Sequence, residues 1–265
     1  MPDSPAAPPL LRRLLAEFLG AGLLVAVVVG SGIAAAALSP DDIGLQLLQN
    51  STATVLGLAV LILMFGPVSG AHFNPVVSIA DWFLNRRTVA GLSLPEVGYY
   101  SAAQIVGGVA GAILANLMFE VPTAIATTDR ASAGHLLGEV VATTFLVVLI
   151  FALVRSNRGA LAGPAVGAYI GSAYWFTSST SFANPAVTVG RVFSDTFAGI
   201  APGSAPVFIL AQLVGLCLGV AVTLALFPDT PRRAEEALVP HTEVGAAAAD
   251  QHGTHPPSNR SETPS

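Results

Sequence analysis

Six apolar stretches leave this chain few ways to fold. They run roughly over residues 12–38, 43–66, 97–118, 134–155, 160–178 and 205–227. Each is close to or above the ~20 mostly apolar residues that carry an α-helix across a bilayer. In hydrocarbon every backbone N–H and C=O needs a partner within the protein, so such runs become helices. The composition points the same way. Of 265 residues, 53% are hydrophobic and 10% charged, where an average soluble domain carries about 25% charged residues. So few charges cannot cover a soluble globule of this size, which argues against a soluble enzyme. The net charge of −5 lacks the basic excess expected of a nucleic-acid binder. The single cysteine, Cys217, forms no intrachain disulfide, and no Cys/His cluster suggests a metal. No cofactor is expected.

The first run resembles a signal peptide in that Arg12 and Arg13 precede it. It is about twice the normal length, however, and contains Glu17, so it reads as a retained span. All basic residues are arginines. The pairs Arg12/Arg13, Arg86/Arg87, Arg155/Arg158 and Arg232/Arg233 fall on one side if the chain crosses six times. The opposite connections hold Arg130 with Asp41, Asp42, Glu120 and Asp129. Basic loops stay cytoplasmic, so both termini are expected in the cytoplasm of a multi-pass inner-membrane protein. The expected organisation is an N-terminal segment 1–11, a membrane domain 12–228 and a tail 229–265. The tail is rich in Pro, Ala, Thr, Ser, Glu and His and is expected to be disordered. Its His241, His252 and His255 read as solvated side chains, because a metal site needs preorganised ligands.

The membrane domain is duplicated, about 12–118 against 134–228. Ala16-Glu17-Phe18-Leu19-Gly20 matches Gly138-Glu139-Val140-Val141-Ala142. Ala103-Gln104 with Gly107 and Gly111 matches Ala211-Gln212 with Gly215 and Gly219. Between these landmarks lie Asn74-Pro75-Val76 and Asn184-Pro185-Ala186. Each half has three spans, so the second enters the membrane upside down. Inverted repeats place a functional site at the midplane between broken helices. Glu17 and Glu139 are charges within spans, where a role is the default. They read as acceptors for loop N–H groups, in preference to a proton relay. The glycine spacings, including Gly163, Gly167 and Gly171, read as close helix packing.

Asn is a strong N-cap and Pro suits the first helical position. Asn74 and Asn184 therefore predict short helices near 75–84 and 185–195, neither long enough to span. The small, polar residues before them survive at membrane depth only where they line a wet cavity. The inverted repeat points the two half-helices at each other.

Ser69-Gly70-Ala71-His72-Phe73-Asn74-Pro75 and Ser181-Phe182-Ala183-Asn184-Pro185-Ala186 resemble the paired signature loops of the aquaporin and glycerol-facilitator family, and the resemblance covers about 12–228. It implies an all-α right-handed bundle of six transmembrane helices plus two re-entrant half-helices. It also implies a homotetramer in the lipid bilayer with one pore per subunit. The activity it implies is passive conduction of water and small neutral solutes, such as glycerol, urea or undissociated metalloid acids. Each asparagine offers N–H donors to the lumen, loop carbonyls supply acceptors, and the positive ends of the two half-helices oppose cations and protons. His72 reads as a loop-ordering or gating histidine.

Two departures stand out. The first loop has Val76 where the family has alanine, expected to narrow or repack the central junction. The second has Val187 where most members carry a filter arginine; Arg191 comes four residues later and is expected in the outer vestibule, with Asp81 as its repeat partner. Ungapped counting places the rest of the filter at Thr54, Ser172 and Ser181, giving a wide, uncharged, hydroxyl-lined ring. Tyr174, Trp175, Phe176 and Phe182 are able to replace Ser172 and Ser181 if the loop shifts. Three other classes stand beside the channel. One is an intramembrane serine hydrolase built on Ser69 with His72 or His135, which needs a base within reach of the hydroxyl. The others are a non-conducting structural membrane protein and a coupled transporter.

Overall fold

The computed structural model describes residues 8–86 and 91–228. Their helices are α1 (Leu10–Leu38), α2 (Ile43–Ser69), α3 (Pro75–Asn85), α4 (Leu94–Met118), α5 (Ala133–Arg155), α6 (Ala162–Phe176), α7 (Pro185–Gly190) and α8 (Ala205–Leu226). No strand occurs among the described residues. The tail 229–265, Arg87 and the N-terminal residues 1–7 lie outside them.

Local chemistry sets the boundaries. The Asp42 carboxylate accepts from Leu45 N at 2.9 Å to start α2. Ser93 and Glu96 form a capping box on α4, a reciprocal arrangement that satisfies two orphan N–H donors. Ser132 caps α5 through His135 N. The helix α2 runs through Pro67 and stops at Gly70, whose φ of 86° lies in the left-handed region that glycine tolerates.

Five of these helices are long and apolar enough to cross a bilayer: α1, α2, α4, α5 and α8. The sixth expected span, 160–178, is shorter. Its α-helix has 15 residues and is preceded by a 3-10 turn at Gly159–Leu161. Together they rise about 28 Å, close to the hydrocarbon thickness of ~30 Å. The helix ends because Thr177 turns extended (φ −108°, ψ 139°) to enter the second loop. The second half-helix is also short: α7 holds six residues and tightens into a 3-10 turn at Arg191–Phe193.

Packing has a two-fold pattern. The helix α1 packs on α2 and α4, and α5 packs on α6 and α8; α3 rests on α4 and α8, α7 likewise. A Cβ added to Gly111 of α4 would overlap the Gly22 carbonyl of α1, and one on Gly219 of α8 would press on the Thr144 carbonyl of α5. Glycine at these crossings lets backbones touch, which is how helices attract in lipid. Leu56, Leu63, Leu210 and Leu218 point outward as exposed apolar side chains, the surface of a membrane protein. Inside, Glu17, Gln104, Glu139 and Gln212 are fully buried.

Candidate functional site

The site begins with two strained loops. Gly70 (φ 86°), Ala71 (51°) and Phe73 (49°) precede Asn74; Thr180 (60°), Ser181 (50°) and Ala183 (45°) precede Asn184 at the same offsets. Left-handed non-glycine residues cost on the order of 1–3 kcal/mol each and persist only where the surroundings fix them. Two carboxylates do the fixing. Glu17 accepts from His72 N (3.0 Å), Phe73 N (2.7 Å), Ser69 Oγ (2.6 Å) and Gln104 Nε2 (2.7 Å). Glu139 accepts from Phe182 N and Ala183 N, both at 2.8 Å, and from Gln212 Nε2 at 2.6 Å. A buried N–H left without such a partner costs about 1–3 kcal/mol.

Each loop ends in a capped half-helix. Asn74 Oδ1 accepts from Val76 N at 3.0 Å, and Asn184 Oδ1 from Ala186 N at 2.9 Å. Pro75 and Pro185 occupy the first helical position, where a missing N–H costs nothing. The amide nitrogens then reach across the centre. Asn74 Nδ2 donates to the Ala183 carbonyl and Asn184 Nδ2 to the Phe73 carbonyl, both at 2.8 Å. A primary amide carries two N–H donors. One from each asparagine is thus used in the clasp, which leaves one for the lumen.

The lumen is a cavity of about 90 Å³ that both asparagines line. That is room for several water molecules, each needing roughly 10–15 Å³ by this measure. His72 lines it beside Asn74, with Nδ1 3.0 Å from Ser78 Oγ and its ring 5.5 Å from that of Tyr100. Past the clasp on the α7 side the wall holds Thr54, Tyr174, Ser181, Phe182, Val187 and Arg191.

Three expected placements change. Ser172 is exposed, with its hydroxyl turned to the Tyr169 carbonyl, and it lies outside the cavity wall. Tyr174 takes the place, its OH 3.3 Å from Thr54 Oγ1. A count displaced by two residues turns a helical side chain about 200°, to the opposite face. Trp175 and Phe176 are exposed, while Phe182 is buried against Phe208, ring centroids 5.2 Å apart. Val76 does not narrow the junction: it is buried beside Ala80, Val147 and Phe151, off the cavity wall. Val77, the repeat partner of Val187 three residues after its asparagine, lines the cavity instead; that offset was the overlooked signal. Arg191 is not in an open vestibule. It is 3% exposed and forms part of the wall. No helical periodicity in the sequence foretold this, because the covering segment 194–200 is irregular.

The hydrolase arrangement is absent at its expected residues. Ser69 Oγ donates to Glu17, and His72 Nδ1 meets Ser78. His135 Nδ1 lies 2.9 Å from the Arg130 carbonyl, at the other end of the bundle. No group of three or more His, Cys, Asp or Glu positioned for a metal occurs among the described residues.

A helical bundle with two loops clasped tip to tip around a largely apolar lumen, into which both asparagines project, defines a passive channel for water and small solutes. The chain belongs to the Major intrinsic protein family, whose sequence pattern matches residues 6–181. It is 47% identical over 214 residues to aquaglyceroporin AqpS of Rhizobium meliloti (strain 1021), covering 80% of this chain and 89% of the relative. It is 30% identical over 258 residues to the glycerol uptake facilitator protein of Pseudomonas aeruginosa, covering 83% and 90%. The X-ray structure of the aquaglyceroporin from Plasmodium falciparum shares the fold, with a TM-score of 0.59 at 22% identity over 84% of this chain and 97% of that one. Members of this family are channels, not enzymes.

Proposed function

We propose that the channel conducts neutral solutes larger than water: glycerol-like polyols, urea and undissociated metalloid acids such as arsenite. In this reading it is a homotetramer in the inner membrane, with its basic loops and both termini in the cytoplasm. The observation that carries the solute class is Val187. It faces the lumen beside the hydroxyls of Thr54, Tyr174 and Ser181, where most of the family has an arginine. A short apolar side chain there leaves width, and three hydroxyls supply hydrogen bonds to a hydrated or polyhydroxylated solute. The similarity to an aquaglyceroporin and to a glycerol uptake facilitator supports the same class.

Passage is an exchange of hydrogen bonds. A solute oxygen accepts the unclasped N–H of Asn74 or Asn184 while its own hydroxyls donate to loop carbonyls. Dehydration is offset step by step, and the flux is driven by the solute gradient alone.

The test is a stopped-flow comparison of water, glycerol, urea and arsenite in proteoliposomes, for the natural chain and Val187→Arg. The variant is expected to lose the larger solutes by about tenfold, the scale of ~1.4 kcal/mol, before it loses water. Equal solute flux in both forms rejects the wide filter. A protein that causes no swelling with any solute is a structural membrane protein, and flux that tracks a proton or sodium gradient is a coupled transporter.

A further inference from the structure

The charge missing at Val187 reappears one turn along the same half-helix. The wall that holds Val187, Thr54 and Tyr174 also holds Arg191. Its guanidinium carbon sits 3.5 Å from the centroid of the Phe182 ring, within the range where an aromatic face attracts a cation. Its Nε donates to the Ala198 carbonyl. The carbonyls on either side hold a second guanidinium: Arg130 Nε donates to Gly199 at 2.8 Å and Nη2 to Phe197 at 3.2 Å. Arg130 also approaches Phe182, at 5.4 Å from its centroid. Three successive carbonyls of the 194–200 segment thus receive two arginines, and both converge on one ring.

Neither arginine has a carboxylate in ion-pair contact among the described residues; the buried Glu139 carboxylate attracts both only from beyond contact distance. The ion pair seen among the described residues is Arg13 with Glu96, at the far end of the bundle. The nearby acids are engaged elsewhere: Asp129 accepts from Ser204 Oγ and Ala131 N, and Asp195 from Thr127. A guanidinium has five N–H donors, and the Ala198 bond takes one of Arg191's. Beside it, Ser181 Oγ is buried and without a hydrogen-bond partner.

We infer that Arg191 is the specificity-determining cation of this lumen, moved one helical turn from the position where the family carries it and held there by the 194–200 segment. Width and charge, which one arginine commonly sets together, are here divided. Val187 leaves the lumen wide; Arg191 keeps it positive and offers donors to the oxygens of neutral solutes. Arg130 is off the cavity wall and acts as a positioning residue, fixing the carbonyls that fix Arg191. The assignment rests on the channel reading of the same lumen and adds the group that rejects cations there.

The test uses Arg191→Gln and Arg191→Lys in the full chain, reconstituted in liposomes, with water flux by stopped flow and potassium leak by tracer. Glutamine keeps an N–H for the Ala198 carbonyl and removes the charge. It is expected to raise the potassium leak relative to water flux about tenfold or more, the scale of one uncompensated charge several Å away at intermediate dielectric. Lysine is expected to hold the leak near the natural level. A glutamine variant that conducts water and excludes potassium as well as the natural chain overturns the inference. Should the glutamine variant carry no water, adding Val187→Arg returns a guanidinium one turn away; recovered water flux with a low potassium leak supports the inference, and no recovery makes Arg191 structural and overturns it. The solute-width reading stands or falls separately, on glycerol flux in the single Val187→Arg variant.

Discussion

The two loops share a backbone conformation, but the half-helices they lead into diverge. Left-handed residues stand at the same offsets before Asn74 and Asn184, a buried glutamate holds each loop, and a buried glutamine braces each glutamate. Beyond the first turn of the half-helices the likeness stops. At the seventh residue after the asparagine, α3 carries Asp81, which accepts from Leu92 N at 2.8 Å and from Asn85 Nδ2 at 2.8 Å. At the matching place the 3-10 turn after α7 carries Arg191, which donates to Ala198. Each side chain fastens the segment next to its half-helix, but with opposite sign, and Arg191 also reaches the lumen. Duplication supplied the frame common to both halves; the charge at this one position makes the two mouths of the lumen unlike.

That comparison can be broken most forcefully at the carboxylates. Glu139→Ala strips acceptors from two buried backbone N–H groups and a glutamine, and should destabilise the folded channel by about 3–5 kcal/mol. Glu17→Ala removes one more partner, Ser69 Oγ, and should cost at least as much; thermal unfolding in detergent reads both. If either variant unfolds like the natural chain, the loops are not held by these residues.

A smaller effect is expected at the asparagines. Asn74→Ala and Asn184→Ala each delete a cap and half of the clasp, worth about 1–2 kcal/mol in stability. Because the clasp is reciprocal, the two should lower solute flux alike. Markedly different losses would show that one loop dominates the lumen.

Thr180 offers a gain. It is β-branched at φ 60°, where the first loop has Gly70. Thr180→Gly should stabilise the protein by about 1 kcal/mol and Gly70→Thr destabilise it comparably, as melting temperatures would reveal. A loss of stability in Thr180→Gly would mean that the offsets coincide in angle but not in strain.

The slightest effect concerns the connection before α5. Hydrogen bonds from Ser204 Oγ and the Ala131 amide hold the Asp129 carboxyl below the usual aspartate range. A lowered carboxyl contributes its stabilisation above its unfolded value and loses it as pH falls through the folded one. Protection of the Ala131 amide from hydrogen exchange, corrected for the intrinsic rate, should therefore persist through neutral pH and fade only in acid. Protection that fades already near neutral pH would rule out Asp129 as its anchor.

Much of this was readable in the residues. Apolar runs marked the long helices to within a few residues, since length and hydropathy decide spans in lipid. Asn74-Pro75 and Asn184-Pro185 marked the starts of both half-helices because capping is local chemistry. What escaped was direction. Ser172 and Tyr174 differ by two places in the chain and by opposite faces of α6, so an ungapped count across a loop chose the wrong one. Val76 and Val77 posed the same choice on α3. The burial of Arg191 depends on where an irregular segment folds back, a long-range outcome that no period in the sequence encodes.

The crossed amide bonds of the two asparagines carry a further meaning for biosynthesis. Asn74 finds its acceptor 109 residues downstream, and the carbonyl of Phe73 waits for a donor 111 residues downstream. A nascent first half can insert its helices, yet its conduit stays unfinished until the ribosome has delivered more than half of the second. Permeability therefore arrives late, and a truncated chain that stops before Asn184 lacks half of the latch that forms the pathway.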